Sequence, residues 1–242
     1  MTNSAPYDTI ASVYDQYWGN EFAEFAQAAF QEQLAAVLPR HAAVLDLCCG
    51  TGLLIAHLEP LGYRMFGVDE SAKMLEIARR NTLHAQLQRA DMAGFHWSSR
   101  FDAVVCFYNS VNHTDSLDHL RDSLVNVAKH LNPDGFFLFD YAARDAFESH
   151  WESNETLETS DGVAAMRYAY EPSVGRATCR IETPSTVIHQ IALEPDQIHA
   201  GLLSAGLTVA REIPMTGPNP VRGRRLILAR NQRYSLRTPS AA

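Results

Sequence analysis

The chain has 242 residues, 46% of them hydrophobic, and a formal net charge of −8. That length buries one sizeable core, enough for a single α/β domain with an elaboration, and the acidic balance argues against broad electrostatic capture of nucleic acid or an anionic membrane. A small molecule is the expected partner, with no nucleic acid, no membrane, and the chain as a monomer or homodimer. The longest apolar runs, 101–108 and 135–141, fall short of the roughly 20 residues of a bilayer-crossing helix. The first ten residues carry neither a secretory nor a transit pattern, so a cytoplasmic protein is expected. Cysteines stand at 48, 49, 106 and 179, and the adjacent pair cannot bridge to itself without strain; reduced thiols are expected. No Cys-x-x-Cys pair and no zinc-like histidine spacing occurs, so no metal is expected.

Taken in chain order, 7–17 and 21–37 read as helices, the second with Phe22, Phe25, Phe30, Leu34, Val37 and Leu38 on its apolar face. The first crowds together Tyr7, Tyr14, Tyr17 and Trp18, rings with polar tips that suit a lid over a ligand, and residues 1–40 are assigned to that lid. Short apolar runs at about 43–48, 64–69, 85–89, 101–107 and 135–140 then alternate with helix-compatible stretches, the pattern of a parallel sheet with crossover helices. Gly62 stops the first of these helices, Ser71 caps one carrying Met74, Leu75 and Ile77, and Ser116 opens one through Leu120, Leu124 and Val127. Asn132-Pro133-Asp134-Gly135 reads as a turn into the next strand.

From about 152 the texture changes to strand-like stretches at 156–160, 163–170, 176–183 and 186–191, separated by Asp161-Gly162 and Ser173-Val174-Gly175. This predicts an antiparallel insertion over 151–193. A helix at 194–205 stopped by Gly206 and strands at 207–213 and 225–230 return the chain to a core made of 41–150 and 194–233, with 234–242 as a loose tail. The expected fold class is α/β: a Rossmann-like seven-stranded, mostly parallel sheet with helices on both faces, an N-terminal helical lid and a small antiparallel β insertion. Arg222, Arg224, Arg225, Arg230, Arg233 and Arg237 read either as a local anion patch or as a solvated strand edge and tail, and the second reading is adopted.

Directly after the first apolar run, Gly50 and Gly52 flank small Thr51, as a backbone must when it approaches a ligand closely. A dinucleotide loop has a similar need, but its third small residue is replaced here by Ile55. Asp69 follows Asp46 by 23 residues, near the roughly 20-residue spacing of an acid one βαβ step beyond a glycine loop, where it can accept both hydroxyls of a ribose. Asp91-Met92 after the third strand can meet an adenine amino group and ring. Ligands sit beyond the carboxyl ends of strands in such sheets.

In this order DLCCGTG, GVDES, ADM and FDAVVCFYNSVNHT resemble the class I S-adenosylmethionine-dependent methyltransferases over nearly the whole chain. The resemblance implies S-adenosyl-L-methionine as cofactor. Asp46, Cys48, Gly50 and Gly52 would contact its methionine end, Asp69 its ribose, and Glu70, Asp91 and Met92 its adenine, with Phe107 after the fourth strand; Tyr14 and Met74 join this cofactor-binding set. The layout is similar to the small-molecule branch, in which a Tyr-bearing helix and an antiparallel insertion cover the substrate. Amino-sugar, glycine-type and heterocycle N-methyltransferases share that plan, as do various O-methyltransferases, and the analogy favours nitrogen. The loop Phe107-Tyr108-Asn109-Ser110 lacks the Asp/Asn-Pro-Pro-Tyr/Phe motif of enzymes that methylate base amines.

Transfer from a sulfonium is a direct displacement in which alignment matters most. A general base helps where the acceptor is protonated. His113, after the fourth strand, is the first candidate base, His189 in the insertion the second, and Tyr14 a candidate to close over the sulfonium. Against these stand a loop histidine bonded to backbone, a strand-surface histidine and a core ring. Tyr7, Trp18, Asn109, Asn112, His113, Tyr141 and Trp151 are the candidate substrate contacts, with Phe147 and His150 beside the last. A non-catalytic cofactor-binding regulator and a nicotinamide-dependent oxidoreductase are the alternatives of other classes.

Overall fold

The computed structural model describes residues 5–151, 153–159, 162–182, 185–215 and 223–232. Arg222, Arg233, Arg237 and the expected tail lie outside them. After a 3-10 turn at Pro6–Asp8 come α1 (Ala11–Tyr17) and α2 (Gly19–Leu34). Then β1 (Ala43–Leu47), α3 (Leu53–Leu58), β2 (Arg64–Asp69), α4 (Ala72–Asn81), β3 (Gln86–Arg89), β4 (Phe101–Cys106), α5 (Leu117–His130) and β5 (Leu131–Ala142) alternate. A short α6 (Arg144–His150) leads into β6 (Asn154–Thr159), β7 (Gly162–Glu171), β8 (Arg176–Ile181) and β9 (Thr186–Ile191). The elements α7 (Pro195–Ala205), β10 (Leu207–Pro214) and β11 (Arg224–Asn231) follow.

Seven strands form one sheet in the order β10-β11-β5-β4-β1-β2-β3, and β6–β9 form a separate antiparallel sheet. In the large sheet only β11 runs against its neighbours β10 and β5. Strand order reverses between β1 and β4, so a crevice opens beyond their carboxyl ends. Alternation sorts each strand between two cores. Leu45, Leu47, Phe137 and Phe139 meet Leu120 and Leu124 of α5 and Ile198 and Leu202 of α7, while Val44, Leu138, Leu226 and Leu228 meet Phe30 of α2 and Leu54 and Ile55 of α3.

Three local expectations change. Val37 is exposed, because α2 ends before it. The Asn132-Pro133-Asp134-Gly135 turn is absorbed into β5 as an irregularity: Phe101 pairs with Leu131 but Ala103 pairs with Phe136. The Asp102 carboxylate holds it there by accepting from Asn132 Nδ2 at 2.8 Å and from the Ala43 N–H at 2.9 Å. The helix α6 was not expected, since seven residues with Phe147 as their deeply buried anchor are too few to display a period.

The antiparallel sheet is a cap. Its inner residues Ala164, Met166, Cys179, Ile181 and Ile188 enclose Ile10, with Tyr7 and Trp18 packed alongside, so the cap rests on the N-terminal lid. The lid is pinned in turn to α4. Asp8 accepts from Ser71 Oγ at 2.6 Å and the Lys73 N–H at 3.1 Å, and Asp15 accepts from Asn81 Nδ2 at 3.0 Å.

Asn112, expected as a substrate contact, instead joins cap to core. It is fully buried; Nδ2 donates to the carbonyls of Ala142 and Ile191 at 2.8 Å and Oδ1 accepts from the Ala142 N–H at 2.9 Å. Both its N–H donors are spent on main-chain carbonyls. Asn112→Ala strands those backbone groups, so it should destabilise the protein by about 1–3 kcal/mol, measured by urea unfolding. Unchanged stability would remove the clamp from this account.

Candidate active site

The loop after β1 carries three left-handed residues, Cys48 (φ 62), Gly50 (φ 52) and Gly52 (φ 75). The two glycines do different work. A Cβ on Gly52 would stand 3.0 Å from Ala78 Cβ and 3.1 Å from Thr82 Cγ2, so Gly52 lets α4 pack against the loop. A Cβ on Gly50 would meet Tyr14 Cε1 in ordinary contact at 3.7 Å. Gly50 lines the cleft beside the lid tyrosine.

Around it lies a cleft of about 430 Å³, partly open to solvent, lined by Tyr14, Phe22, Asp46, Cys48, Gly50, Phe107 and Tyr108 among others. Asp46 is 4% exposed, and none of the described hydrogen bonds or ion pairs engages its carboxylate. Burial, then the negative charge of Asp69, push its pKa well up. A buried carboxylate without a partner calls for a cation in the cleft.

Asp69 is held by backbone: its two oxygens accept from the N–H groups of Gly50 at 2.9 Å and Ser71 at 2.8 Å. Each oxygen keeps a further acceptor direction, which is what two vicinal hydroxyls need. Asp91 is half-exposed; its Oδ1 accepts from the Ala93 N–H at 2.7 Å and meets His119 Nε2 at 2.9 Å. His119 had no place in the sequence reading; it stands one turn inside α5, where nothing local marks it. Glu70 is exposed beside this end of the cleft. Met92 is buried in the core with Phe66 and Phe95, and Met74 is buried under the lid against Ala11, Tyr7 and Tyr14. These two methionines shape the floor and the lid seat from behind.

Lid, cap and the end of β4 meet at Tyr7, Gln190 and His113. Tyr14 packs edge-on against Tyr7 and Phe22, with centroids 6.2 and 6.0 Å apart. The Tyr7 hydroxyl and Gln190 Nε2 reach His113 Nε2 at 3.3 and 3.2 Å, and the His113 ring is also bonded to the main-chain carbonyl of His189. Two donors at Nε2 and a carbonyl on the other side fix the tautomer: Nδ1 carries the proton and the ring is neutral. Burial lowers its pKa to about 4.

This arrangement corrects the expected histidine base. The accepting nitrogen of His113 is occupied by the seam between lid and cap, and a group at about 4 is a weak base near neutrality. The His189 side chain is exposed, since strand alternation turns Ile188 and Gln190 inward and His189 outward. Its carbonyl, not its ring, reaches the site. Tyr141 is also corrected: alternation in β5 places it with Phe137 and Phe139 on the α5/α7 face, and its buried hydroxyl finds no partner among the described residues. Trp151 donates from Nε1 to the Thr178 carbonyl at 3.2 Å and packs on Phe147 and Tyr168, anchoring the cap. Trp18 packs on the cap's inner face.

Two charged residues missed in the sequence dominate this half. Asp140, 0% exposed, stands on the opposite face of β5 from Tyr141. Both its oxygens lie 3.2 Å from the Asn109 N–H, Arg224 Nη1 is 3.3 Å from Oδ2, and the Tyr108 N–H also donates to it. The Arg224 guanidinium lies 5.2 Å from the Tyr108 ring centroid, and that ring stacks on Phe22 at 3.5 Å. Arg224 is thus buried and paired, not a solvated strand-edge residue; Arg225 and Arg230 do pair at the surface, with Glu212 and Asp134. Asp140 interrupts the apolar run 136–139, and a carboxylate in a buried strand requires a partner; that was the available signal.

A family model described as a methyltransferase domain matches residues 44–135. The chain is 32% identical over 193 residues to a dTDP-3-amino-3,6-dideoxy-alpha-D-glucopyranose N,N-dimethyltransferase of Streptomyces fradiae, covering 78% of this chain and 72% of that one. It is 27% identical over 215 residues to a dTDP-3-amino-3,4,6-trideoxy-alpha-D-glucopyranose N,N-dimethyltransferase of Streptomyces venezuelae, covering 82% and 90%. Among solved structures, an S-adenosylmethionine-dependent methyltransferase from Clostridium acetobutylicum superposes with a TM-score of 0.78 at 19% identity, covering 94% of this chain and 99% of that one.

Two outcomes follow for cofactor binding. Burial raises the Asp69 carboxyl to about 6, with the Ser71 and Gly50 N–H groups opposing, and it must be ionised to accept from both ribose hydroxyls. Affinity for S-adenosylhomocysteine should be full above pH 7 and fall about tenfold by pH 5, by titration calorimetry. Because the folded pKa lies above the unfolded one, Asp69 makes the free protein more stable as pH drops through the same window. A flat affinity down to pH 5 would sink the ribose assignment. Asp46→Asn should raise the stability of the free protein by about 1 kcal/mol and weaken S-adenosylhomocysteine at least about tenfold; effects of the same sign would contradict the unpaired-carboxylate account.

Proposed function

Because the chain belongs to the class I S-adenosylmethionine-dependent methyltransferases, we propose that it methylates the amino group of a small molecule, specifically an amino sugar carried on a nucleotide. The observation that carries the substrate class is the match, over most of both chains, to the Streptomyces fradiae N,N-dimethyltransferase. The chamber is compatible in kind. It is lined by Tyr14 and Phe22 of the N-terminal segment and by Phe107, Tyr108 and Ser110 after β4, aromatic walls with hydroxyl groups among them, which suit one small polar ring system.

The residues present fit the cofactor. Gly50 carries no side chain between its backbone and the cleft, Asp46 lines the cleft with a buried carboxyl that no described hydrogen bond engages, and Asp69 keeps acceptor directions for a diol. When bound, S-adenosylmethionine supplies an electrophilic methyl carbon whose bond to sulfur breaks as the acceptor nitrogen's lone pair bonds to it. The chain's contribution is alignment and exclusion of water. Gly50 and Asp46 fix one end of the donor and Asp69 the other. Tyr14, whose hydroxyl is kept neutral by burial and by the charges of Asp69 and Asp46, closes over the place where donor and acceptor meet. His113 keeps Tyr7 and Gln190 in register and takes no proton, so the acceptor enters as the free amine.

Incubation of the protein with S-adenosylmethionine and a panel of nucleotide-linked amino sugars, free amino sugars and hydroxyl-only analogues tests this reading. Mass spectrometry should show one or two methyl groups added to nucleotide-linked amines, and kcat/KM should rise with pH up to the acceptor's own pKa. Turnover confined to the hydroxyl analogues would refute it.

A further inference from the structure

We propose that Asp140 is the positioning residue for the acceptor half of the site: its carboxylate holds the Tyr108–Asn109 turn and Arg224 in the arrangement that sets the Tyr108 ring in the wall of the cleft beneath Tyr14. The inference rests on the reading that this chamber receives the acceptor.

Tyr108 (φ 69) and Asn109 (φ 46) are consecutive left-handed residues with side chains, a conformation that costs free energy at each. The Asn109 N–H lies 3.2 Å from both oxygens of Asp140, so the turn is fastened to a carboxylate delivered by the next strand. The same carboxylate pairs with Arg224, which lies over the Tyr108 ring, and the other face of that ring meets Phe22. A Tyr ring held from both sides at the mouth of β4 has one orientation.

The arrangement extends beyond the pair. Asn109, whose backbone Asp140 fixes, donates from Nδ2 to Gln190 Oε1 at 2.8 Å, and Gln190 donates on to His113, which also receives Tyr7. Core strand, cap and lid are therefore indexed to one anion. Asp140 does not line the cofactor cleft, whereas Tyr108 does, so its influence is exerted through Tyr108 and Arg224.

Asp140→Asn keeps volume and removes charge. It should lose about 100-fold in acceptor kcat/KM, the loss expected of a displacement on the order of 1 Å, and weaken S-adenosylhomocysteine by no more than about tenfold, since Tyr108 lines the cleft while the Gly50 and Asp69 contacts are untouched. A crystal structure of the variant with S-adenosylhomocysteine should show the turn relaxed and Arg224 swung away. If the single variant fails to fold, Asp140→Asn/Arg224→Met removes both charges together, a change that buried pairs tolerate, and should give the same kinetic split. A merely structural Asp140 predicts a lower Tm with kcat/KM per folded molecule unchanged. That result, or an undisturbed Tyr108 and Arg224 in the variant, overturns the proposal. Failure of the wild type to methylate any amine would instead refute the substrate reading, while the variant's structure still decides the role of Asp140.

Discussion

Three carboxylates drawn out of water near the carboxyl ends of parallel strands β5, β1 and β2 govern this site, and they are compensated in three ways. Asp140 at the end of β5 is answered from within by a guanidinium and two backbone N–H groups. Asp69 at the end of β2 is answered by backbone alone, which leaves its pKa raised. Asp46 in β1 is answered by no described group. Burial of an anion is costly unless it is paired, so the series runs from a satisfied charge to an unsatisfied one. The unsatisfied end is where a cationic ligand gains most. A chain of net charge −8 thus binds a positively charged donor with a locally exposed deficit and has no need of a broad field.

The lid extends the same logic. Asp8 and Asp15 fasten the N-terminal segment to opposite ends of α4, the helix against which Gly52 lets the loop pack. The loop that faces the donor and the tyrosine that covers it therefore share one support. This coupling explains why Met74 and Met92, expected at the ligand, lie behind it: the site needs a rigid backing more than extra apolar contact, and a methionine fills irregular space well.

The strand-and-helix alternation, the cap and the glycine loop were legible in the sequence because each leaves a periodic or compositional trace. So were the caps at Ser71 and Ser116, which do accept from the N–H groups of Met74 and His119. What was not legible depends on pairing across distance. Asn112 and Asn109 both looked like polar groups available to a substrate, and each is spent on atoms dozens of residues away. Arg224 looked like its neighbour Arg225, yet strand alternation sends one into the interior and the other to the surface. Tyr141 and Asp140 show the same ambiguity: a reading shifted by one residue chooses the wrong face. The glycine loop and the strand ends beside it are contiguous segments and were readable as such. The acceptor half is assembled from α1, β4, β5, β9 and β11, and its members become visible when the sheet brings them together.

The histidine shows what this assembly implies for catalysis. A histidine just beyond β4 invites the role of base, but accepting a proton from a substrate requires an unoccupied nitrogen and a pKa near the working pH. His113 has neither, because Tyr7 and Gln190 converge on Nε2 and burial keeps the ring neutral. Nor does methyl transfer to a free amine demand a base in the bond-making step, since the nitrogen lone pair is already available and the proton leaves afterwards. What the reaction does demand is that donor and acceptor be held in line in a dry chamber. A neutral imidazole that locks lid to cap serves that demand better than a charged one, whose protonated Nε2 could no longer accept from Gln190 and would loosen the seam.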